Sequence, residues 1–123
     1  MPRMAIPVAI IDDDASVCRS LSRLLRLAGF EPRAFHSAEA FLGDCNRGGF
    51  RCLLVDVQLN GMSGIEMQRT WNAQPGHAPL IFITAYDEPQ VRAEALQAGC
   101  AGFFSKTDSG AQIVDAIRAA VWS

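Results

Sequence analysis

The chain has 123 residues, half of them hydrophobic, which is enough for one domain to bury a core without disulfides or a structural metal. Its formal charge is −2, and its eleven basic side chains are scattered, so the basic stripe of a nucleic-acid-binding module is excluded. The four cysteines (Cys18, Cys45, Cys52, Cys100) form no CxxC pair and have no histidine at ligand spacing, which argues for buried, reduced thiols over a zinc site. Residues 1–6 show no apolar stretch of the signal-peptide kind, and no apolar run approaches the roughly 20 residues of a membrane span, so a cytoplasmic protein is expected.

Residues 8–11 (VAII) open the chain as a short unbroken apolar run, the pattern of a strand buried on both faces. Asp14 then stands as a helix N-cap before a stripe of Val17, Leu21, Leu24, Leu25 and Ala28, with Gly29 as the stop. Residues 31–35 read as a second strand, and Pro32 within it points to a sheet edge, because proline cannot donate to a ladder. Ser37 caps a second stripe of Ala38, Phe41, Leu42 and Cys45. Residues 52–55 and 80–83 repeat the buried-strand pattern, while 64–74 and 89–98 are helical by composition. A short strand at 102–105 and a last helix bearing Ile113, Ala116, Ile117, Ala120 and Val121, opened by Asp108 or Ser109, complete the chain. Five β–α units in strict alternation predict an α/β fold, a parallel sheet with helices on both faces, in one domain spanning 1–123 with its core at 7–121.

In such sheets ligands bind at the carboxyl ends of the strands, so what each run delivers there matters. The first ends in Asp12, Asp13 and Asp14, the third in Asp56, the fourth in Thr84 and the fifth in Lys106, the one lysine in the chain. Clustered carboxylates repel one another unless a cation sits among them, and a hard ion such as Mg²⁺ suits an oxygen-only donor set. With the charge balanced, one carboxylate can attack phosphorus as a nucleophile. An ammonium group and a hydroxyl then stabilise the phosphoryl oxygens.

Taken in order, VAIIDDD (8–14), LLVD (53–56), GMSG (61–64), FITA (82–85), AGCAGF (98–103) and FSK (104–106) resemble the receiver domains of bacterial response regulators. They are most similar to those of regulators with a helix-turn-helix DNA-binding output. The resemblance covers nearly the whole chain. It implies a flavodoxin-like (βα)5 doubly wound sheet of strand order 2-1-3-4-5, working as a two-component phosphoacceptor and not as a turnover enzyme. It further implies that Asp56 is the phosphoacceptor, that Asp12, Asp13, Asp56 and the carbonyl of Gln58 hold Mg²⁺, and that Lys106 contacts the phosphoryl group. Thr84 and Phe103 match the switch pair. The implied partners are a sensor histidine kinase, a phosphorylation-dependent homodimer, and a C-terminal DNA-binding output domain outside this chain. No membrane and no direct nucleic-acid contact by this domain are implied. The output surface is expected on residues 91–98, the strand at Phe103 and the last helix.

Three positions depart from the family pattern. Thr107 stands where the family has a proline with a cis bond; a cis bond to threonine costs about 3 kcal/mol, so a trans bond or strain is expected. Asn60 and Gly61 replace a proline in the loop after Asp56, predicting a more mobile loop. Tyr86 is large for its position and is expected to shield the phosphoryl group from water.

Plainer roles cover other residues. His36 and His77 read as surface histidines, and Trp71 and Trp122 as packed helix residues. One of Phe103 and Phe104 belongs to the core. A small-molecule phosphatase of the aspartate-nucleophile kind needs a second aspartate two residues after the first, and Gln58 occupies that place. Nucleotide-binding GxxxxGK[ST] and GxGxxG motifs are absent. A phosphate-independent interaction module is the remaining alternative; Thr107 favours it, and the full set of Asp12, Asp13, Asp56, Thr84 and Lys106 opposes it.

Overall fold

A computed structural model describes residues 5–122. Residues 1–4, within the stretch read as lacking a signal peptide, lie outside them. The elements run β1 (Ile6–Ile11), α1 (Ala15–Leu27), β2 (Phe30–Phe35), α2 (Ala38–Leu42), β3 (Cys52–Asp56), α3 (Gly64–Asn72), β4 (Leu80–Thr84), α4 (Pro89–Gln97), β5 (Gly102–Ser105) and α5 (Gly110–Val121). All strand pairs are parallel and the sheet order is β2-β1-β3-β4-β5, the order expected. Among the described residues no helix is long and apolar enough to cross a membrane.

The unbroken apolar runs are explained by the two cores. Side chains alternate across a strand, so consecutive residues serve opposite faces. Ala9, Ile11, Leu53, Val55 and Phe82 face one cluster with Phe41, Met67 and Trp71 from α2 and α3. Val8, Ile10, Cys52, Leu54, Ile81 and Ile83 face the other, with Cys18 and Leu25 of α1 and Ile113 and Ile117 of α5. Each such leucine, isoleucine or phenylalanine contributes roughly 1.5–3 kcal/mol by leaving water, so strand register is firmly held. β2 is one of the two edge strands, and Pro32 lies in it as its missing N–H requires.

The helix starts are built by short polar side chains. Asp14 accepts from the backbone N–H of Ser16 and Val17, and Ser37 from that of Ala40. Ser109, not Asp108, caps α5. Ser63 and Glu66 form a reciprocal capping box on α3, a pattern of S-x-x-E that was legible in the sequence and overlooked.

Two expectations fail. Trp122 caps the end of α5 and is 64 % exposed, because the stripe that buries α5 ends with Val121. Cys45 is also exposed, since α2 stops at Leu42 and Asp44 begins a turn by accepting from the N–H of Asn46. Cys18 and Cys52 are buried as expected and Cys100 is partly buried.

Candidate functional site

Three carboxylates meet at the carboxyl end of the sheet. Asp12 follows β1 directly and is held there by its N–H to the carbonyl of Phe35, 3.0 Å, which extends the β1–β2 ladder. Asp56 is the last residue of β3, and both side chains are buried. Asp13 is exposed, and its carboxylate accepts from the N–H of Asn60 at 3.3 Å. One oxygen from each of Asp12, Asp13 and Asp56 lies within 4.8 Å of the others. An all-carboxylate donor set at that spacing fits a hard divalent cation.

Lys106 closes the site from β5. Its backbone N–H donates to the carbonyl of Thr84 at 2.8 Å, carrying the β4–β5 ladder one residue past the strand. The ammonium then reaches Oδ2 of both Asp12 and Asp56, each at 3.0 Å. No cis peptide occurs among the described residues, so the bond to Thr107 is trans. The Thr107 N–H, which proline lacks, donates to Ser105 Oγ at 3.2 Å, and Asp108 accepts from the Ser105 N–H at 2.8 Å. Side-chain hydrogen bonds thus shape the loop that a proline would otherwise stiffen.

The electrostatics follow from burial and charge count. Burial pushes the Asp56 carboxyl above its ordinary range, outweighing its hydrogen bonds from Lys106 and the N–H of Gln58. Burial alone would depress Lys106, yet its hydrogen bonds to Asp56 and Asp12 prevail and raise it. One ammonium faces three carboxylates, so the cluster retains room for further positive charge.

Thr84 is fully buried at the end of β4. Its hydroxyl donates to the carbonyl of Tyr86 at 3.0 Å and accepts from the Tyr86 N–H at 3.1 Å. The Tyr86 ring itself is exposed. Phe103 is buried against Phe82, with ring centroids 5.9 Å apart, while Phe104 is partly buried on the other face of the sheet.

With this arrangement in view, the likeness to known proteins is specific. The sequence matches the family model described as response regulator receiver domain over residues 8–118. The chain belongs to that family. It is 36 % identical over 121 residues to the response regulator protein TodT of Pseudomonas putida, covering 98 % of this chain and 53 % of TodT. It is 35 % identical over 120 residues to the transcriptional regulatory protein FixJ of Azorhizobium caulinodans, covering 95 % of this chain and 56 % of FixJ. The crystal structure of FixJ-N superposes with a TM-score of 0.85 at 31 % identity, covering 98 % of this chain and 96 % of that one. The receiver described here spans about half the length of the curated relatives it matches.

The structure brings together four of the residues expected at the site. Asp12, Asp13, Asp56 and Lys106 converge directly. Gln58 sits on the loop just after Asp56 and donates its N–H to Asp56 Oδ1 at 3.1 Å. Thr84 and Phe103 lie on adjacent strands, though the Thr84 hydroxyl is engaged by its own loop. His36 and His77 are exposed, as read.

One further residue bears on the loop after Asp56. Glu39 of α2 accepts from the Met62 N–H at 3.0 Å and braces the loop after Asp56. Gly61 in that loop has φ +76°, and a Cβ there would stand 2.6 Å from the Glu39 carboxylate. A lone glutamate on a helix surface carries no sequence signal of such a contact. The Asn60 and Gly61 loop is thus tied at two points, to Asp13 and to Glu39.

Proposed function

We propose that this receiver is a phosphoacceptor switch, in which a carboxylate oxygen of Asp56 takes a phosphoryl group from the phosphohistidine of a sensor kinase. The observation that carries this is the placement of Lys106 Nζ 3.0 Å from Oδ2 of both Asp56 and Asp12, beside a three-carboxylate cluster. In the transfer, an oxygen–phosphorus bond forms at Asp56 as the phosphorus–nitrogen bond breaks, and the histidine departs with that electron pair. Asp12, Asp13, Asp56 and the carbonyl of Gln58 would hold Mg²⁺, which when bound neutralises charge on the phosphoryl oxygens. Lys106 supplies a second, fixed positive charge to those oxygens. Thr84 donates its hydroxyl proton to one of them after leaving Tyr86. Tyr86 shields the product from water; a Tyr86→Ala protein that loses phosphate no faster overturns that role.

The modified domain then acts through α4, β5 and α5 as a homodimer surface or as a contact for a C-terminal DNA-binding segment. A transcriptional output is supported by the transcriptional regulatory relative FixJ. We further take residues 1–123 as one domain working in the cytoplasm, with no membrane or nucleic-acid partner of its own and no substrate turnover beyond its own phosphorylation and dephosphorylation. The phosphate-independent alternative gains no support from Thr107, because Lys106 reaches both carboxylates with threonine in place.

Incubation with acetyl phosphate, followed by intact mass, tests the reading. A gain of one phosphoryl group that requires both Mg²⁺ and Asp56, and that Asp56→Ala abolishes, is expected. No gain under conditions that modify a known receiver would overturn it.

A further inference from the structure

Away from the acidic cluster, Arg92 is held by more groups than its place on α4 demands. α4 fully buries one residue, Ala95, and its N-cap Glu88 makes no side-chain capping bond, while its later turns are tied to α3 through Gln68, Arg69 and Asn72. Arg92 Nε and Nη2 donate to the two carboxylate oxygens of Asp87 at 3.3 and 3.1 Å. Nη2 also donates to the Phe103 carbonyl at 3.4 Å. The guanidinium carbon lies 5.0 Å from the centroid of the Phe103 ring. One planar cation therefore binds a carboxylate through two donors and covers an aromatic ring, a combination a lysine cannot reproduce.

Asp87 is chained to the site by its neighbour. Tyr86 gives both its N–H and its carbonyl to the Thr84 hydroxyl. A hydroxyl has one proton, and here Thr84 spends it on the Tyr86 carbonyl. It cannot donate to a phosphoryl oxygen on Asp56 without releasing that carbonyl, and Asp87 is the next residue in the loop. The Asp87–Arg92 pair is about two-fifths exposed on each side (41 % and 40 %), so water is at hand to replace its hydrogen bonds when the loop moves.

We propose that Arg92 is a positioning residue, a clamp that ties Phe103 to the loop following Thr84 and passes that loop's movement to the β5 face. The inference rests on the reading of Asp56 as phosphoacceptor and of Thr84 as the hydroxyl that answers it. It adds Asp87 and Arg92 as the physical link between Thr84 and Phe103, which otherwise lie on adjacent, paired strands with Phe103 packed on Phe82. Movement of residues 86 and 87 drags the carboxylate, the carboxylate drags the guanidinium, and the ring loses or shifts its cover.

The test uses the full chain with 4-fluorophenylalanine placed at Phe103 and read by ¹⁹F NMR, with and without Mg²⁺ and beryllofluoride as the phosphoryl mimic. In the unmodified protein, Arg92→Gln and Asp87→Asn are each expected to move the resonance in the same direction, with the double variant moving it no further. On adding the mimic, the wild-type resonance shifts, and in Arg92→Gln that response falls by at least half. Asp56 modification by acetyl phosphate, read by mass, stays within twofold of wild type in Arg92→Gln, which separates the clamp from the chemistry. An Arg92→Gln spectrum and response equal to wild type overturns the clamp. So does a wild-type protein that takes the phosphoryl group on Asp56 yet leaves Phe103 unmoved, and in that case the phosphoacceptor reading stands. A wild-type protein that takes no phosphoryl group overturns that reading, and the clamp's coupling role with it.

Discussion

Lys106 Nζ lies 3.0 Å from Asp56 Oδ2 although fifty residues separate the two in the chain. The sheet accounts for the meeting. β3 and β5 both flank β4; Asp56 ends β3 and Lys106 stands one residue past β5, so both side chains reach the same rim. A second bond of the same length to Asp12 makes Lys106 the charge that holds two buried carboxylates side by side.

Removing that charge should be costly. Lys106→Met leaves Asp12 and Asp56 buried against each other with no counter-charge, and breaking a buried pair in this way costs on the order of 3 kcal/mol. Urea unfolding at pH 7 without metal checks the loss. Adding Mg²⁺ should restore part of it, and an equal loss with and without Mg²⁺ would count against a cation site here.

The raised Asp56 carboxyl makes a prediction of opposite sign. A group whose folded pKa is raised contributes stability below its unfolded pKa, about 3.9, and loses it as pH rises through the folded value. At neutral pH without metal, ionised Asp56 therefore strains the fold. Asp56→Asn should be more stable than wild type at pH 7, with the difference closing in acid. Urea midpoints at the two pH values decide it.

Glu39 behaves the other way. The Met62 N–H holds its carboxyl below the ordinary range, so its contribution is present above the unfolded pKa of about 4.3 and is lost as pH falls through the folded value. Glu39→Gln should lower the unfolding midpoint at pH 7, and the two proteins should converge in acid. A gap that does not change with pH would show that the contact with Met62 owes nothing to charge.

Gly64 limits how α3 approaches the site. A Cβ there would fall onto the carbonyl oxygen of Asp56 and stand 2.9 Å from the Cα of Val57. Both are backbone atoms that cannot swing aside. Gly64→Ala should destabilise the protein by about 1–3 kcal/mol and displace the end of β3. Urea unfolding measures the first effect, and the Gln58 amide resonance reports the second.

What the sequence disclosed and what it hid divide along physical lines. The strands were legible because a parallel sheet covered on both faces needs unbroken apolar runs, and 52–55 and 80–83 supply them. The site was legible because its acids, hydroxyl and lysine stand where those runs end. Cys45 and Trp122 were misread because a periodic stripe does not show where a helix stops; a turn at Asp44 and the last core residue Val121 decided those ends. Glu39, Asp87 and Arg92 were missed for a different reason. Glu39 acts through one hydrogen bond to a loop 23 residues away, and Asp87 and Arg92 through a two-bond pair and a ring contact, none of which imposes a period on the chain.

The central claim is that Asp56 itself carries the phosphoryl group, and one measurement addresses it directly. After treatment with acetyl phosphate and Mg²⁺, borohydride reduces an aspartyl phosphate to homoserine, which peptide mass mapping locates. Homoserine at position 56, and at no other carboxylate, is the predicted result. Reduction at Asp12 or Asp13, or a phosphoryl gain with every aspartate left intact, would contradict it.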